Sequence, residues 1–327
     1  MNILVTGGAG FIGSHMVDRL LETGHNLVCV DNFDNFYDPG IKRFNLDYAL
    51  RSKSLHLVEG DIRDVHTLGQ CFKHFPIDVV IHLAARAGVR PSLLQPELYY
   101  DVNVLGTLRL LEAMRKYNVK KMLFASSSSV YGNRDKVPFS ENDSVDNPIS
   151  PYAASKKAGE LLCHTYHHLY DFDIFCFRFF TVYGPRQRPE MAIHQFVKKI
   201  FNGEPIVLYG DGSSQRDYTY IDDIVDGVIN SLTVLHGYEI VNLGESRTVP
   251  LIRLISLIED VMKKKAKINF EVMQPGDVMK TYADITKARQ IISYSPNYPI
   301  EKGIGKFIEW FQANARRTSI GFVLPKF

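Results

Sequence analysis

A glycine-rich turn between a strand pattern and a helix pattern is the feature that most restricts the fold of this chain. Residues 7–13 read GGAGFIG, follow the apolar run Ile3–Thr6 and open the helical pattern Ser14–Thr23. Glycines at such a junction let the backbone approach a pyrophosphate, whose charge then meets the amino end of the helix. The residues predicted to hold a dinucleotide here are Gly7, Gly10, Phe11, Ile12 and Gly13.

The ends of the following strands supply further candidate cofactor contacts. Asp31 closes the strand pattern Asn26–Asp31, where its carboxylate accepts hydrogen bonds from both adenosine-ribose hydroxyls. That charge repels a 2′-phosphate and no arginine adjoins it in sequence, so NAD is favoured over NADP. Asp61 and Ile62 are placed to flank the adenine, although helix capping explains Asp61 equally well. Ala84 lies where the dinucleotide passes, and packing is the alternative there.

Short apolar runs alternate with helical patterns through the first half of the chain. The runs lack a period of two, which is typical of strands covered by helices on both faces. This alternation predicts an α/β fold with a doubly wound parallel sheet of the Rossmann type. The predicted strands are Ile3–Thr6, Asn26–Asp31, Leu55–Asp61, Val79–Ala84, Lys121–Ser126 and Ile174–Phe179, and the predicted helices between them include Ser14–Thr23, Glu97–Tyr117 and Pro151–Tyr170.

The pattern changes after Thr181, where the loop sequence GPRQRP begins. We interpret the residues beyond this loop as a smaller α/β lobe closing over the carboxyl edge of the sheet, where ligands bind in such folds. The predicted division is a cofactor domain over residues 1–180 with a return near 218–245, and a substrate lobe over 181–217 and 246–327.

Composition excludes several other classes of protein. The 327 residues carry a formal net charge of +2, so neither nucleic acid nor an acidic membrane is an expected partner. The four cysteines form no CxxC pair, and the sequence shows neither a leader nor an apolar run long enough to span a bilayer. A cytoplasmic location is therefore expected. His164, His167 and His168 lack a nearby carboxylate to complete a ligand set, so no metal is expected.

Tyr152 and Lys156 lie four residues apart, on one face of the predicted helix Pro151–Tyr170. Together with the GGAGFIG turn, the run HLAA and the serine-rich FASSSSVYG at 124–132, this spacing resembles the extended, nucleotide-sugar-modifying branch of the short-chain dehydrogenase/reductases. The resemblance implies a serine hydroxyl at Ser127 between base and substrate, with Ser129 close to the sugar. Four consecutive serines would otherwise suggest a flexible tether. The resemblance implies instead that the run 126–129 is the end of a strand at the active site.

The chemistry that the resemblance implies needs these residue types. A sugar hydroxyl must lose its proton to Tyr152 while hydride leaves for the nicotinamide. A free tyrosine has a pKa of about 10 and is a poor base at neutral pH. Lys156 and the cationic nicotinamide favour the phenolate, and lowering the pKa by about three units corresponds to roughly 4 kcal/mol.

The residues predicted to contact the sugar indicate which reaction the enzyme catalyses. Relatives that eliminate water or decarboxylate the sugar carry a glutamate just before VYG, whereas this chain has Ser128 and Ser129 there, which favours simple epimerisation. Residues 178–191, RFFTVYGPRQRPEM, resemble the corresponding segment of UDP-glucuronate 4-epimerases. Thr181 and Arg188 would then bind the C6 carboxylate. The alternative for Arg188 is an ion pair with Glu190 or a loop cap.

The same resemblance extends to the remaining candidates. Arg86, in the run RAGVR, is a predicted substrate contact, as are Arg216 for the diphosphate and Asp277 for the uridine ribose. A salt bridge with Asp217 or Asp222 is the alternative for Arg216. Related enzymes form dimers through a four-helix bundle, and the leucines suited to that interface are Leu105, Leu108, Leu161 and Leu162.

The sequence therefore predicts an NAD-dependent 4-epimerase of a UDP-sugar, with UDP-glucuronate as the favoured substrate. The resemblance leaves a second substrate class open, the neutral sugars of UDP-glucose and UDP-N-acetylglucosamine. A UDP-glucuronate decarboxylase and a non-catalytic NAD-binding protein are the less favoured interpretations.

Overall fold

Seven parallel strands form the centre of the molecule in the computed structural model, which describes residues 1–272 and 278–319. The strand order is β10-β6-β5-β4-β1-β2-β3, and every neighbouring pair runs parallel. The order reverses between β1 and β4, so the carboxyl ends of those strands open a crevice. The strands of this sheet are β1 (Asn2–Thr6), β2 (Asn26–Asp31), β3 (Leu55–Glu59), β4 (Val79–His82), β5 (Lys121–Ser127), β6 (Asp173–Phe179) and β10 (Tyr238–Leu243).

Helices cover both faces of the sheet, as the predicted α/β class requires. Alternate residues of one strand enter different cores, because successive side chains point to opposite faces. Ile3 and Val5 of β1 pack in one apolar cluster and Leu4 packs in the other. The helices are α1 (Phe11–Glu22), α2 (Pro39–Leu46), α3 (Val65–His74), α4 (Val89–Leu94), α5 (Pro96–Tyr100), α6 (Gly106–Lys116), α7 (Pro151–Tyr170), α8 (Ala192–Asn202), α9 (Ile221–Ser231), α10 (Leu251–Met262), α11 (Thr286–Ile292) and α12 (Ile300–Ser319).

Two small sheets lie beside the large one. Strand β9 (Gln215–Tyr220) pairs in parallel with β7 (Thr181–Tyr183) and antiparallel with β11 (Thr248–Pro250). Strand β8 (Pro205–Tyr209) pairs in parallel with β12 (Lys267–Glu271). Because β7 begins two residues after the end of β6, the second half of the chain is joined directly to the carboxyl edge of the large sheet.

Local chemistry explains where the helices that shape the crevice begin and end. The Ser150 hydroxyl accepts a hydrogen bond from the Ala153 amide at 3.1 Å, and Pro151 fills the first turn of α7. Asp64 caps α3 by accepting from the amides of His66 and Thr67. The alternative in which Asp61 caps that helix is therefore wrong.

The predicted helix Glu97–Tyr117 is not one continuous α-helix. A π-helical segment at Asp101–Leu105 separates α5 from α6, so the single predicted element was wrong in its detail. Within it, the Asn103 side chain accepts from the Arg86 amide at 2.7 Å and donates to the Ser155 hydroxyl at 2.9 Å. Such single-turn π segments are frequent near functional sites, and this one ties the loop after β4 to helix α7.

Candidate active site

A cavity of about 380 Å³ lies at the carboxyl ends of β1, β2, β4 and β5. It brings together most of the residues that the sequence analysis singled out. The predicted site residues lining it are Gly7, Gly10, Phe11, Ile12, Gly13, Asp31, Asp61, Ile62, Ala84, Arg86, Ser127, Ser129, Tyr152, Lys156, Thr181 and Arg188.

The glycine turn forms a narrow cradle at the start of α1. Gly7 has a φ of 70°, and a Cβ added there would lie 2.7 Å from the backbone of Ala84. A Cβ on Gly13 would lie 2.1 Å from the Gly7 carbonyl oxygen, which backbone packing forbids. Gly10 and Gly13 line the cavity at the amino end of α1, where the first amides of a helix lack intrahelical partners and can bind a pyrophosphate.

Asp31 is held rigidly at the end of β2. Its carboxylate accepts hydrogen bonds from the Ala9 amide at 3.0 Å and from the Phe33 amide at 2.9 Å, and the residue is 7% exposed. Burial raises the pKa of this carboxyl, and the nearby Lys42 ammonium opposes the rise. Each oxygen retains a lone pair for a ribose hydroxyl, because a carboxylate has about four acceptor positions.

Asp61 and Ile62, which the sequence analysis placed beside the adenine, line the same cavity. Asp61 accepts from the Arg63 guanidinium and from the Asn32 amide, both at 2.8 Å, and these bonds lower its pKa to about 2. Its charge is thereby fixed beside Ile62, which is buried. His82 bridges the hydroxyls of Thr6 and Thr107 at 2.7 and 3.0 Å, so packing and hydrogen bonding explain that histidine.

Ser127, Tyr152 and Lys156 converge where β5 ends against α7. The Ser127 oxygen accepts a hydrogen bond from the Ser129 amide at 3.1 Å. Burial raises the pKa of Tyr152, and hydrogen bonding by the Ser127 side chain and the charge of Arg188 oppose that rise. Lys156 donates to the Ala125 carbonyl at 2.7 Å, and burial lowers its pKa to about 8.

The four serines are ordered structure. Ser126 and Ser127 complete β5, and Ser128 to Tyr131 form one 3₁₀ turn. The predicted strand end is confirmed, the tether interpretation is wrong, and the active-site role of the run stays a prediction.

A buried ion pair lies directly beneath the serines. Glu160 accepts two hydrogen bonds from the Arg178 guanidinium, both at 2.9 Å, and each side chain is 1% exposed. The Ser126 hydroxyl donates to the same carboxylate at 2.6 Å. The guanidinium also lies 4.7 Å from the ring centroid of Tyr131. Sequence reasoning missed Glu160, whose position one turn after Lys156 was the available signal.

The sugar side of the cavity contains charged groups that already have partners. Arg188 forms an ion pair with Glu190, with 2.8 Å between Nε and Oε1, which is the alternative that the sequence analysis left open. Arg86 pairs with Asp34 and donates to Gln95 at 3.3 Å. The charge of Arg188 nevertheless acts on Tyr152, so the guanidinium is close to the candidate base.

One predicted substrate residue stands apart from this group. Arg216 lies on β9, donates to the Gln215 carbonyl at 3.0 Å and is not among the described residues that line the cavity. Its diphosphate role stays a prediction. Asp277 lies outside the described residues.

The loop between β2 and α2 also lines the cavity, and the sequence analysis did not include it. Its cavity-lining side chains include Asp34, Phe36 and Tyr37, with Lys42 on the following helix. Lys42 is 7% exposed and donates to the Asp34 carbonyl at 2.7 Å. The signal available in the sequence was position, because this loop follows Asp31 at the same edge of the sheet.

The described residues contain neither a helix able to cross a membrane nor three metal-ligating side chains grouped together. All four cysteines are buried and unpaired.

The fold and the site define an NAD-binding enzyme of the extended short-chain dehydrogenase/reductase class. Residues 4–307 match the protein family described as GDP-mannose 4,6 dehydratase, and the chain belongs to that family.

Individual relatives are similar over nearly the full chain. A UDP-glucuronate 4-epimerase from Thermodesulfobacterium geofontis is 45% identical over 312 residues, covering 95% of this chain and 96% of that protein. The crystal structure of a Bacillus cereus UDP-glucuronic acid 4-epimerase with UDP-glucuronic acid and NAD is 36% identical, with a TM-score of 0.91, over 96% of this chain and all of that chain. A Thermotoga maritima UDP-glucose 4-epimerase with UDP-glucose is 33% identical, with a TM-score of 0.89 and the same coverage of both chains.

Proposed function

We propose that this protein is an NAD-dependent UDP-sugar 4-epimerase that interconverts UDP-glucuronate and UDP-galacturonate through a 4-keto intermediate. The observation that carries the proposal is the convergence of Ser127, Tyr152 and Lys156 on one cavity wall that also contains Thr181 and Arg188. The similarity to UDP-glucuronate 4-epimerases over 95% of the chain supports the same substrate.

The cavity fits the cofactor, because any side chain on Gly13 would fill the cradle that a pyrophosphate needs. When bound, NAD would supply the hydride acceptor for C4 of the sugar and, once reduced, the hydride donor to the opposite face of the 4-keto sugar. The residues that would hold it are the glycine turn, Asp31, Asp61 with Ile62, Ala84 and Lys156.

Tyr152 removes the proton of the 4-hydroxyl. It returns the proton to the C4 oxygen after the 4-keto sugar has rotated in the site. Hydrogen bonding by the Ser127 side chain lowers the pKa of that phenol, so Ser127 stabilises the phenolate. With a pKa of about 8, the Lys156 ammonium is largely charged at neutral pH and favours the same phenolate. Ser128 and Ser129 occupy the positions where relatives that eliminate water carry a glutamate. The site therefore lacks the acid–base group that elimination needs.

Thr181 and Arg188 bind the C6 carboxylate and fix its orientation. A 4-keto glucuronate is a β-keto acid, which loses CO₂ when its C5–carboxylate bond lies parallel to the carbonyl π-system. Holding the carboxylate away from that alignment keeps the reaction an epimerisation. Arg188 must exchange its Glu190 partner for the substrate, and both side chains are only partly buried, at 22% and 36% exposure.

A second candidate is a 4-epimerase of neutral sugars, UDP-glucose or UDP-N-acetylglucosamine. The Arg188–Glu190 pair favours it, because a guanidinium that keeps this partner offers no charge to a carboxylate. The similarity to the UDP-glucose 4-epimerase from Thermotoga maritima, with a TM-score of 0.89, supports this candidate, because that protein was solved with UDP-glucose.

Proton NMR of the purified protein with UDP-glucuronate and no added NAD tests the proposal. We expect UDP-galacturonate signals to grow to equilibrium, and a Tyr152→Phe control to show none. Conversion of UDP-glucose or UDP-N-acetylglucosamine alone would support the second candidate. A UDP-pentose product would instead indicate decarboxylation.

We also propose that the protein is a cytoplasmic homodimer joined through α6 and α7. Leu161 is 56% exposed and Leu105 is 37% exposed, which a dimer interface would cover. Leu108 and Leu162 pack partly against the core beside them. Sedimentation of a Leu105→Glu, Leu161→Glu variant tests this interface, and an unchanged molecular mass would contradict it.

The division into two lobes is a proposal as well. The cofactor lobe comprises residues 1–180 with residues near 218–245, and the sugar lobe comprises 181–217 and 246–327. The small β7–β9–β11 sheet supports it, since it lies outside the large sheet.

A further inference from the structure

The segment that carries Arg188 has an unusual backbone. Arg186 has a φ of 63°, in the left-handed region that residues other than glycine rarely adopt. Such a conformation persists only where the surrounding structure imposes it. Gly184, two residues earlier, has a φ of 142° and packs against Ile221 and Tyr220. The turn is therefore held in place by specific contacts.

Two of those contacts come from helix α1, whose amino end faces the pyrophosphate site. The His15 Nε2 lies 2.9 Å from the Pro185 carbonyl oxygen, and an Arg186 Nη1 lies 2.7 Å from an Asp18 carboxylate oxygen. Burial lowers the pKa of His15 to about 4, so the imidazole is neutral and Nε2 carries the proton that it donates. His15 and Asp18 are three residues apart, on one face of the helix.

The other side of the turn is fixed by Gln187, which is 2% exposed. Its side-chain amide donates to the Val182 carbonyl and accepts from the His194 amide, both at 3.2 Å. Residues 185, 186 and 187 are thus anchored one after another, and Arg188 is the first of the run to face the cavity.

Arg186 itself does not belong to the described lining of the cavity, because its guanidinium is directed at Asp18. It therefore acts on the sugar only through the placement of its neighbour. The side chains of Arg186 and Asp18 are 22% and 16% exposed, which is enough burial for the pair to matter more than a surface ion pair.

We propose that Asp18 and Arg186 are positioning residues that set the preference for a carboxylate-bearing sugar by fixing the turn from which Arg188 reaches the substrate. The proposal rests on the proposed function, in which Arg188 binds the C6 carboxylate. It links the sugar specificity of the site to the helix that binds the cofactor.

The binding of UDP-sugars to the NAD-loaded protein tests the roles of Asp18 and Arg186. All proteins carry Tyr152→Phe, which stops turnover during the titration. Isothermal titration gives dissociation constants for UDP-glucuronate and for UDP-glucose with the parent, Asp18→Asn, Arg186→Gln and the double variant. Asp226→Asn is the matched control, since Asp226 pairs with Arg19 on the same helix α1 but not with the turn. The NAD content of each protein is measured by absorbance after denaturation.

We expect each single variant to weaken UDP-glucuronate binding about tenfold and UDP-glucose binding less than twofold, with the double variant no weaker than either single, as for residues in one contact. Asp226→Asn should change neither constant. Arg186→Gly removes the ion pair and places glycine, which tolerates a positive φ, at this position. We expect this variant to fold well and to lose UDP-glucuronate binding selectively, as the other variants do.

Two outcomes would overturn the inference: unchanged UDP-glucuronate binding in these variants, or equal weakening for both sugars, which would indicate general damage. Failure of the proposed function is distinguishable from either. In that case the parent protein itself binds UDP-glucuronate no better than UDP-glucose, and the wild type does not epimerise UDP-glucuronate.

Discussion

Replacing Arg188 with glutamine separates the carboxylate contact from the rest of the site. A hydrogen bond to a charged group contributes about 1.5–3 kcal/mol. Arg188 must first leave Glu190, and a partly exposed pair of this kind, at 22% and 36% exposure, is worth about 0–1 kcal/mol. The difference is about 0.5–3 kcal/mol, so KM for UDP-glucuronate should rise roughly 2- to 160-fold.

The same substitution should change the pH profile of turnover. The Arg188 charge opposes the burial that raises the pKa of Tyr152, so its removal should raise that pKa further. The basic form of Tyr152 is the active one, and the rising limb of kcat against pH should therefore move to higher pH. Initial rates measured by NMR across the pH range give both quantities.

Glu190→Gln is the matched control, because it frees Arg188 without removing it. We expect its KM for UDP-glucuronate to equal or fall below that of the wild type. If Arg188→Gln left both KM and the pH profile unchanged, the assignment of Arg188 to the substrate would be refuted.

Three further perturbations act on the glycine cradle, the buried ion pair and the buried histidines. Gly13→Ala should abolish NAD retention, because the new Cβ would lie 2.1 Å from a backbone oxygen. Gly305→Ala is the control, since its Cβ would have nothing within 4 Å and the NAD content of the purified protein should stay unchanged. Glu160→Ala strands a buried guanidinium and should lower the free energy of unfolding in urea by about 3–5 kcal/mol; a loss below about 1 kcal/mol would contradict the ion pair. Burial lowers the pKa of His15, His82 and His194, so these three groups should lower stability as the pH drops from about 6.5 towards 4, because the unfolded chain then binds more protons. The buried carboxyls of Asp217 and Glu245, whose pKa burial raises, act in the opposite direction. Urea midpoints of the wild type and of His82→Gln at several pH values isolate the contribution of one histidine, and identical pH slopes would contradict the burial of that imidazole.

The strands of the large sheet could be predicted because helices cover both of their faces, which produces continuous apolar runs. Strand β2, Asn26–Asp31, and helix α7, Pro151–Tyr170, have the predicted bounds. The π segment at Asp101–Leu105 could not be predicted, since the helical pattern continues through it. Its cause is tertiary, in the contacts that Asn103 makes with Arg86 and Ser155.

In the candidate site, too, features that are local in sequence could be predicted, and contacts between residues distant in sequence could not. The glycine turn and the Tyr152–Lys156 spacing are local patterns with a direct chemical meaning, and the sequence contains both. The partners of Arg86 and Arg178 are distant in sequence, at Asp34 and Glu160, and only the fold brings them together. Sequence reasoning assigned Arg86 to the substrate without knowledge of its carboxylate partner.

The proposed epimerisation requires C4 to lose and regain the same hydride within one site. UDP-glucuronate carrying deuterium at C4, incubated with the purified protein in ordinary water, tests this requirement. We expect the UDP-galacturonate formed to retain its deuterium at C4, because the hydride never exchanges with solvent. Product with protium at C4 would contradict the proposed mechanism.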